Sequence, residues 1–397
     1  LEVVVIIASD HQAPLSAPIS VWSKGGFETP LGVVKVDVDI AEKILQSDPL
    51  FTFDPAAHTG EHPIEIQLPF LQRVCPNCSV VPILMSEEDE DTVDRLAKAL
   101  SKTLPGKKAV IIASSDLSHY PNYEDAQRAD TTLLGAIETG NPPTVRDSIN
   151  RMMTSGIENL VTCACGQGPI LVAMQAAQDL GSDTISVLRY ANSGDLPYGD
   201  RSQVVGDAAL MFWDYRPPEL SETTKGELID IARSSIKEFL ETEKIPDLDV
   251  KAESLTRLSG AFVTLKIDGG LRGCIGHIWA DRPLYQVVQE MAVAAATADS
   301  RFTPLTVDEL ESVKVEVSIL SPLKRVDDIE EIIVGTHGLL MMHQGRRGIL
   351  LPQVPIEQGW NLEQYLDNLC MKAGLDSVCW LEQTVLYSFT AIVIEGE

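Results

Sequence analysis

The sequence predicts two consecutive domains, an α/β domain built as three layers around a mostly parallel sheet and then an α+β domain. Three observations lead there. The 397 residues exceed what one hydrophobic core ordinarily serves. As far as about residue 215, short β-branched runs alternate with amphipathic stretches, as they do when helices cover both faces of a parallel sheet. Trp213-Asp214-Tyr215-Arg216-Pro217-Pro218-Glu219 then breaks the alternation, because adjacent prolines exclude helix and ladder alike. The first domain is expected at 1–215, a linker at 216–220 and the second domain at 221–397.

The opening run Val3-Val4-Val5-Ile6-Ile7-Ala8 is apolar throughout and reads as a strand buried on both faces. It ends in Ser9, Asp10 and His11. Open α/β sheets collect ligands outside the carboxyl ends of their strands, so His11 falls where a site would lie. Amphipathic or strand-like stretches follow at 40–46, 62–73, 79–85 and 91–104. Residues 108–113 repeat the first strand's grammar and end in Ser114-Ser115-Asp116-Leu117-Ser118-His119. Helices then extend to 178, and two further runs occupy 184–190 and 203–212.

The second half opens on a long amphipathic helix at 221–242, with N-cap candidates in Ser221-Glu222-Thr223-Thr224. Runs at 261–267 and 271–278, joined by Asp268-Gly269-Gly270, read as a hairpin. A helix at 283–298, an alternating strand at 313–320 and a second hairpin around 343–348 come next. A helix at 362–373 and a strand at 385–394 complete the α+β pattern.

Bulk composition narrows the possibilities. A net charge of −27 argues against nucleic acid and anionic membrane as partners, since both need concentrated Lys and Arg. No run approaches the roughly 18 apolar residues that span a bilayer. Seven cysteines in a long apolar-rich chain favour free thiols in a reducing compartment, so a cytoplasmic location is expected. The chain lacks an initiating Met and opens inside a strand, from which a truncation of the first domain is expected. Cys75-Pro76-Asn77-Cys78 has the spacing of half a zinc site or a redox pair, but no second pair stands at a matching distance, and a loop is expected. Glu87-Glu88-Asp89-Glu90-Asp91 reads as a solvated helix entry, and His337 and His343 as turn or surface residues.

Chemistry gathers in the first domain at four places. Asp10/His11 and Asp116/His119 follow strands, and Gly60-Glu61-His62 precedes an amphipathic stretch with Glu65 one turn on. Cys165 lies directly before an apolar helix expected at 170–180, with Pro169 suited to its first turn. A thiol at a helix N-terminus meets the positive end of the macrodipole, which favours thiolate. Imidazole with thiolate suits iron, copper or zinc and not magnesium or calcium. A buried, inert Cys165 is the alternative.

Asp10-His11-Gln12-Ala13-Pro14-Leu15-Ser16, Glu61-His62-Pro63-Ile64-Glu65, Ser114-Ser115-Asp116-Leu117-Ser118-His119, Cys165-Gly166-Gln167-Gly168-Pro169-Ile170 and Tyr190-Ala191-Asn192-Ser193-Gly194-Asp195 stand in the order and spacing of the Memo family, which resembles class III extradiol dioxygenases in fold. The resemblance implies a redox metal, iron or copper, held by two histidines and a cysteine. His11 would be one histidine and Cys165 the cysteine, with His62, Asp116 and His119 lining the pocket. The other histidine belongs to a Pro-His-Ala-Gly-Tyr segment upstream of the first strand and absent here, with Asp10 or His119 as substitutes.

In the second domain Leu271-Arg272-Gly273-Cys274-Ile275-Gly276-His277 is the focus. The glycines permit close backbone approach, Arg272 offers a planar anion fork, and Cys274 is either a nucleophile or a structural strand cysteine. This stretch resembles the hallmark of the AMMECR family. Ser300-Arg301-Phe302-Thr303-Pro304-Leu305, His337-Gly338-Leu339-Leu340, Arg347-Gly348-Ile349-Leu350-Leu351-Pro352-Gln353-Val354 and Lys372-Ala373-Gly374-Leu375 resemble the rest of that pattern from about residue 220 onward. Arg272, Gly273 and Gly276 would bind a substrate or partner. Together the two resemblances imply a fusion of the B and A proteins of the AmmeMemoRadiSam system, with a radical SAM protein as partner.

The expected function is a cytoplasmic metal-dependent redox protein, dioxygenase-like, with Fe(II) favoured over copper and copper over zinc, and with His62 or His119 as acid/base. The alternative is a non-catalytic binding or scaffold protein that uses the same pocket and the 271–276 surface. A third possibility gives Cys274 its own chemistry.

Overall fold

The computed structural model describes residues 1–11, 16–326, 328–343, 346–381 and 384–396. Residues 12–15 of the first strand's motif and 344–345 of the second hairpin lie outside the described residues. The chain divides into two units, Leu1–Asp214 and Tyr215–Glu397.

The first unit begins with β1 (Val3–Ser9), β2 (Ile19–Val21), the hairpin β3 (Gly26–Thr29) and β4 (Gly32–Lys35), α1 (Val38–Ser47), β5 (Phe51–Thr52) and α2 (Pro55–His58). It continues through α3 (Leu68–Val74), β6 (Ser79–Met85), α4 (Glu90–Thr103), β7 (Ala109–Ala113), α5 (Tyr123–Glu138), α6 (Pro142–Met153) and α7 (Gln167–Asp179). The antiparallel pair β8 (Thr184–Asn192) and β9 (Gly206–Trp213) ends it.

Five strands form a sheet in the order β5-β2-β6-β1-β7. β1 runs parallel to both β6 and β7, β2 is parallel to β5, and only the β2–β6 pair is antiparallel. Every residue of β1 is buried. Val3, Val5 and Ile7 enter a core shared with α1, α4, α5, α6 and α7, while Val4, Ile6 and Ala8 enter a second core with Ile64, Leu68 and Leu71. An all-apolar strand therefore has helices on both faces, and the three layers follow.

Three sequence expectations change. The stretch 62–73 is not one helix: a 3-10 turn at Glu65–Gln67 precedes α3, with Pro63 and Pro69 interrupting regular pairing. The runs near 184–190 and 203–212 pair with each other as a two-stranded sheet and do not extend the central one. Four of the seven cysteines are disulfide-bonded, Cys75 with Cys78 and Cys370 with Cys379, so free thiols remain only at Cys163, Cys165 and Cys274. The Cα separations of 5.5 and 5.8 Å lie within disulfide reach. Among the described residues no helix is long and apolar enough to cross a membrane.

The second unit starts with α8 (Glu222–Thr242), capped by the Ser221 hydroxyl that accepts from the Thr224 N–H. α9 (Glu253–Thr256), β10 (Gly260–Ile267), β11 (Gly270–His277), α10 (Leu284–Thr297), α11 (Val307–Leu310), β12 (Lys314–Leu320) and β13 (Lys324–Arg325) follow. β14 (Gly338–His343), β15 (Arg346–Leu350), α12 (Gln353–Gln358), α13 (Leu362–Lys372), β16 (Val385–Phe389) and β17 (Ala391–Glu395) complete it. Its two four-stranded sheets are ordered β11-β10-β12-β17 and β13-β16-β14-β15. The single strand expected at 385–394 is thus two strands in two sheets. The switch sits at Thr390, whose carbonyl accepts from the Ser321 N–H and whose N–H donates to the Ser321 hydroxyl, each at 2.9 Å.

Candidate metal centre

The site is built on the chain that leaves β7. The Ser114 N–H donates to the Ile7 carbonyl at 2.8 Å, extending the sheet by one residue, and the Gln67 side chain holds the Ser114 hydroxyl. Further on, the Leu117 N–H donates to the Gly206 carbonyl and the Gly206 N–H to the Ser118 carbonyl. Ser118 donates through both its N–H and its hydroxyl to the Asp130 carboxylate at 2.9 and 3.0 Å, and the Tyr190 hydroxyl donates to the same carboxylate at 2.8 Å. Asp130 is 1% exposed, and burial raises its pKa above the ordinary carboxylate value. His119 is held on its other side by bonds to Thr162 and Val161. Tyr120 follows at φ 71°, an uncommon backbone for a bulky residue that turns the chain away immediately after His119.

Cys165 reaches this segment from the turn that leads into α7. Its N–H donates to the Asp116 carbonyl, and the Asp116 N–H donates to its Sγ at 3.2 Å. The Gly166 N–H donates to the Ser115 hydroxyl at 2.9 Å. A Cβ on Gly166 would lie 2.3 Å from the Ser114 carbonyl oxygen, so this approach needs glycine. Pro169 sits in the first turn of α7, as its missing N–H allows.

The His119 Nδ1 lies 3.0 Å from the Leu117 carbonyl. A carbonyl only accepts, so Nδ1 is the donor here and Nε2 is the ring atom that faces the site. That Nε2 is 3.8 Å from Asp116 Oδ2. Asp116, His119 and Cys165 each offer one ligand atom, all within 4.8 Å of one another, and this is the one such grouping among the described residues. Oxygen, nitrogen and sulfur donors together suit iron, copper or zinc. The expected thiolate is opposed here, since burial first, and the Asp116 charge after it, raise the Cys165 pKa. A cation among the three would reverse that balance.

His11 belongs to a neighbouring group. Its N–H donates to Glu61 Oε1 at 2.7 Å, its Nδ1 lies 3.4 Å from Glu61 Oε2, and its ring centroid is 5.5 Å from that of His62. His11 is therefore outside the 4.8 Å grouping, although both groups lie at the carboxyl end of the parallel strands. Glu88, read as part of a solvated helix entry, accepts from the Ser9 hydroxyl at 2.7 Å, and Asp89 alone caps α4.

The second-unit residues are committed internally. Arg272 donates from Nε and Nη2 to the Glu309 carboxylate, both at 3.2 Å, and from Nη1 to the Thr303 carbonyl. A Cβ on Gly273 would meet the Ala295 carbonyl, and one on Gly276 the Phe262 ring, so packing accounts for both glycines. The Cys274 N–H donates to Asp299, itself gripped by Arg301, and the Thr264 hydroxyl lies 3.3 Å from Cys274 Sγ. Burial raises the Cys274 pKa, and His277 pairs with Asp281 at 2.7 Å.

A family model described as Memo-like protein matches residues 1–211. The chain belongs to the Memo-like protein family. In this Memo-like chain a second model, AMMECR1, matches residues 229–394, so the two domains are fused. A MEMO1 family protein of Methanosarcina acetivorans is 38% identical over 210 residues, which is 52% of this chain and 74% of that one. Protein MJ0810 of Methanocaldococcus jannaschii is 41% identical over 173 residues, 41% of this chain and 86% of that one. The crystal structure of uncharacterized protein PH0010 from Pyrococcus horikoshii covers 45% of this chain and 94% of its own at 35% identity and a TM-score of 0.43.

Three residues at the Memo-like site escaped the sequence reading. Asp130 was legible in principle, as a carboxylate on the same helix face as Ala126, Leu133, Leu134 and Ile137. Asp207 was not: its pKa is raised by burial and by the Asp116 charge, with His119 opposing, and only the fold brings these together. Glu88 was hidden among four other acids.

Proposed function

We propose that the Memo-like unit is a metal-dependent redox protein of dioxygenase-like type, holding its metal at Asp116, His119 and Cys165. The observation that carries this is the convergence of carboxylate, imidazole and thiol within 4.8 Å at the carboxyl end of a parallel sheet. A bound ion of this kind supplies a Lewis-acid and one-electron centre with open positions for a small molecule. Fe(II) fits the mixed donor set best, copper next and zinc third.

The protein's own contribution is orientation. The Leu117 carbonyl engages His119 Nδ1 and orients the ring with Nε2 toward the site, and Asp130 fixes Ser118 beside it. Asp207, whose carboxyl is raised toward the protonated form, and the His11–Glu61 pair with exposed His62 supply groups able to hold or move a proton next to the centre. A radical SAM partner remains part of this reading through the family resemblance, whereas the cytoplasmic setting was expected from free thiols and loses that ground at the two disulfides. The scaffold alternative is less supported at Arg272, whose fork is occupied by Glu309.

Anaerobic loading with Fe(II), desalting and metal analysis test the reading. Near one iron per chain in the parent and loss in Cys165→Ser are expected. Equal retention by Cys165→Ser and His119→Ala would overturn it.

A further inference from the structure

The two disulfides differ in setting. Cys370 and Cys379 are 0% and 5% exposed, inside the core that α13 shares with Leu339 and Met341. Cys75 and Cys78 lie instead in the turn Cys75-Pro76-Asn77-Cys78, which carries the chain from the end of α3 into β6. Pro76 and Asn77 are exposed and Cys75 is half-buried, while Cys78, 7% exposed, joins Leu71 and Val80 in the core of Val4 and Ile6. Cys75 is therefore the half of the pair that a reagent reaches first.

The turn is closed without help from sulfur. The Cys75 N–H donates to the Leu71 carbonyl at 2.7 Å, the Cys78 N–H to the Cys75 carbonyl at 3.1 Å and the Ser79 N–H to the Glu2 carbonyl at 3.0 Å. Pro76 fixes one φ between them. None of these bonds uses a side chain, so they keep the two Cα atoms, 5.5 Å apart, in register when the S–S bond opens. The chain entropy that a disulfide removes grows with the loop it closes, and a separation of three residues makes this one a weak staple. A zinc half-site finds no second half, since the one grouping of possible ligands among the described residues holds neither cysteine.

We propose that Cys75–Cys78 is a thiol–disulfide exchange site whose co-substrate is a dithiol. A thiolate of the dithiol attacks Cys75 Sγ, the bond to Cys78 breaks, and its electron pair leaves on Cys78 Sγ, which takes up a proton. The second thiolate then attacks its neighbour's sulfur in the mixed disulfide and expels Cys75, which is protonated in turn. The pair gains two electrons and two protons, and the dithiol departs as a disulfide. A monothiol fails at the middle step: Cys78, held beside Cys75 by the turn, attacks the mixed disulfide and expels it at high effective concentration. The site precedes the first residue of β6, whereas the Asp116–His119–Cys165 centre lies past the carboxyl ends of the same strands. The inference thus stands apart from the metal centre and needs no metal.

Alkylation of the native chain followed by peptide mass spectrometry tests it, with dithiothreitol and glutathione as probes. Dithiothreitol in millimolar excess should open Cys75–Cys78 at least about tenfold faster than Cys370–Cys379, oxidised dithiothreitol should re-form it, and glutathione should leave it closed. Oxidised glutathione should label Cys75 in Cys78→Ser and leave Cys78 unlabelled in Cys75→Ser. A pair that resists dithiothreitol as Cys370–Cys379 does would overturn the proposal, and so would one that glutathione opens fully. Free thiols at 75 and 78 that oxidised dithiothreitol cannot join would overturn it as well.

Discussion

The Asp116 backbone N–H donates to the Sγ of Cys165 across 3.2 Å, joining the chain that leaves β7 to the turn that starts α7. One sulfur therefore serves as a structural acceptor and as a candidate ligand. Cys165→Ala should cost about 1 kcal/mol through the unpaired amide, and it should abolish Fe(II) retention altogether. A thermal melt of the metal-free protein together with metal analysis separates the two effects. Unchanged retention would contradict the ligand role.

Asp130 accepts from Ser118 twice and from Tyr190 once, in a site closed to water. Asp130→Ala should destabilise the first unit by about 3 kcal/mol or more, because several buried donors lose their acceptor. Asp130→Asn keeps one acceptor oxygen and should cost less, yet weaken metal binding by about tenfold through the loosened His119 segment. Chemical denaturation and a Co(II) titration measure the pair. Metal affinity untouched by both variants would remove Asp130 from the site.

His58 packs its Nε2 3.0 Å from the Ser20 hydroxyl, and burial lowers its pKa from 6.5 to about 4. The unfolded chain then binds more protons than the folded one between those values. Stability should be fully present above the unfolded value and should be lost as pH falls through the window toward about 4. The loss is on the order of 3 kcal/mol at most. Urea midpoints at about pH 7 and about pH 5 should converge in His58→Gln relative to the parent. An identical pH slope in both proteins would contradict the assignment.

Arg272 spans Glu309 and the Thr303 carbonyl, tying β11 to the start of α11. The Glu309 carboxyl is lowered to about 2, first by its bond to Arg272. Arg272→Ala should lower the unfolding temperature of the second unit, by an amount corresponding to roughly 1 kcal/mol for a partly exposed pair. Arg272→Lys should not restore it, since the bidentate fork is lost. Calorimetry checks this, and full stability in Arg272→Ala would reopen the residue to a partner.

Much of the fold was legible because β1 and β6 are short apolar runs of the kind a covered sheet strand tolerates. The hairpin at Asp268–Gly269 was equally legible, since both residues adopt positive φ, as such turns require. What stayed hidden depends on contacts far apart in sequence. The β8–β9 pair is tied to the chain after β7 by the bonds of Leu117 and Ser118 with Gly206, and the strand switch at Thr390 is bonded to Ser321. For the site, Asp116, His119 and Cys165 were each visible at an element's end, but sequence could not show that Glu61 holds His11 apart from them.

Co(II) titration under anaerobic conditions, followed by the near-ultraviolet thiolate-to-cobalt charge-transfer band, tests the metal centre most directly. Cobalt should bind near one per chain with that band present. His119→Ala and Asp116→Asn should each weaken binding by about tenfold or more, Cys165→Ser should remove the band, and His11→Ala should leave both nearly unchanged. Loss of binding in His11→Ala with His119→Ala unaffected would contradict the Asp116–His119–Cys165 centre.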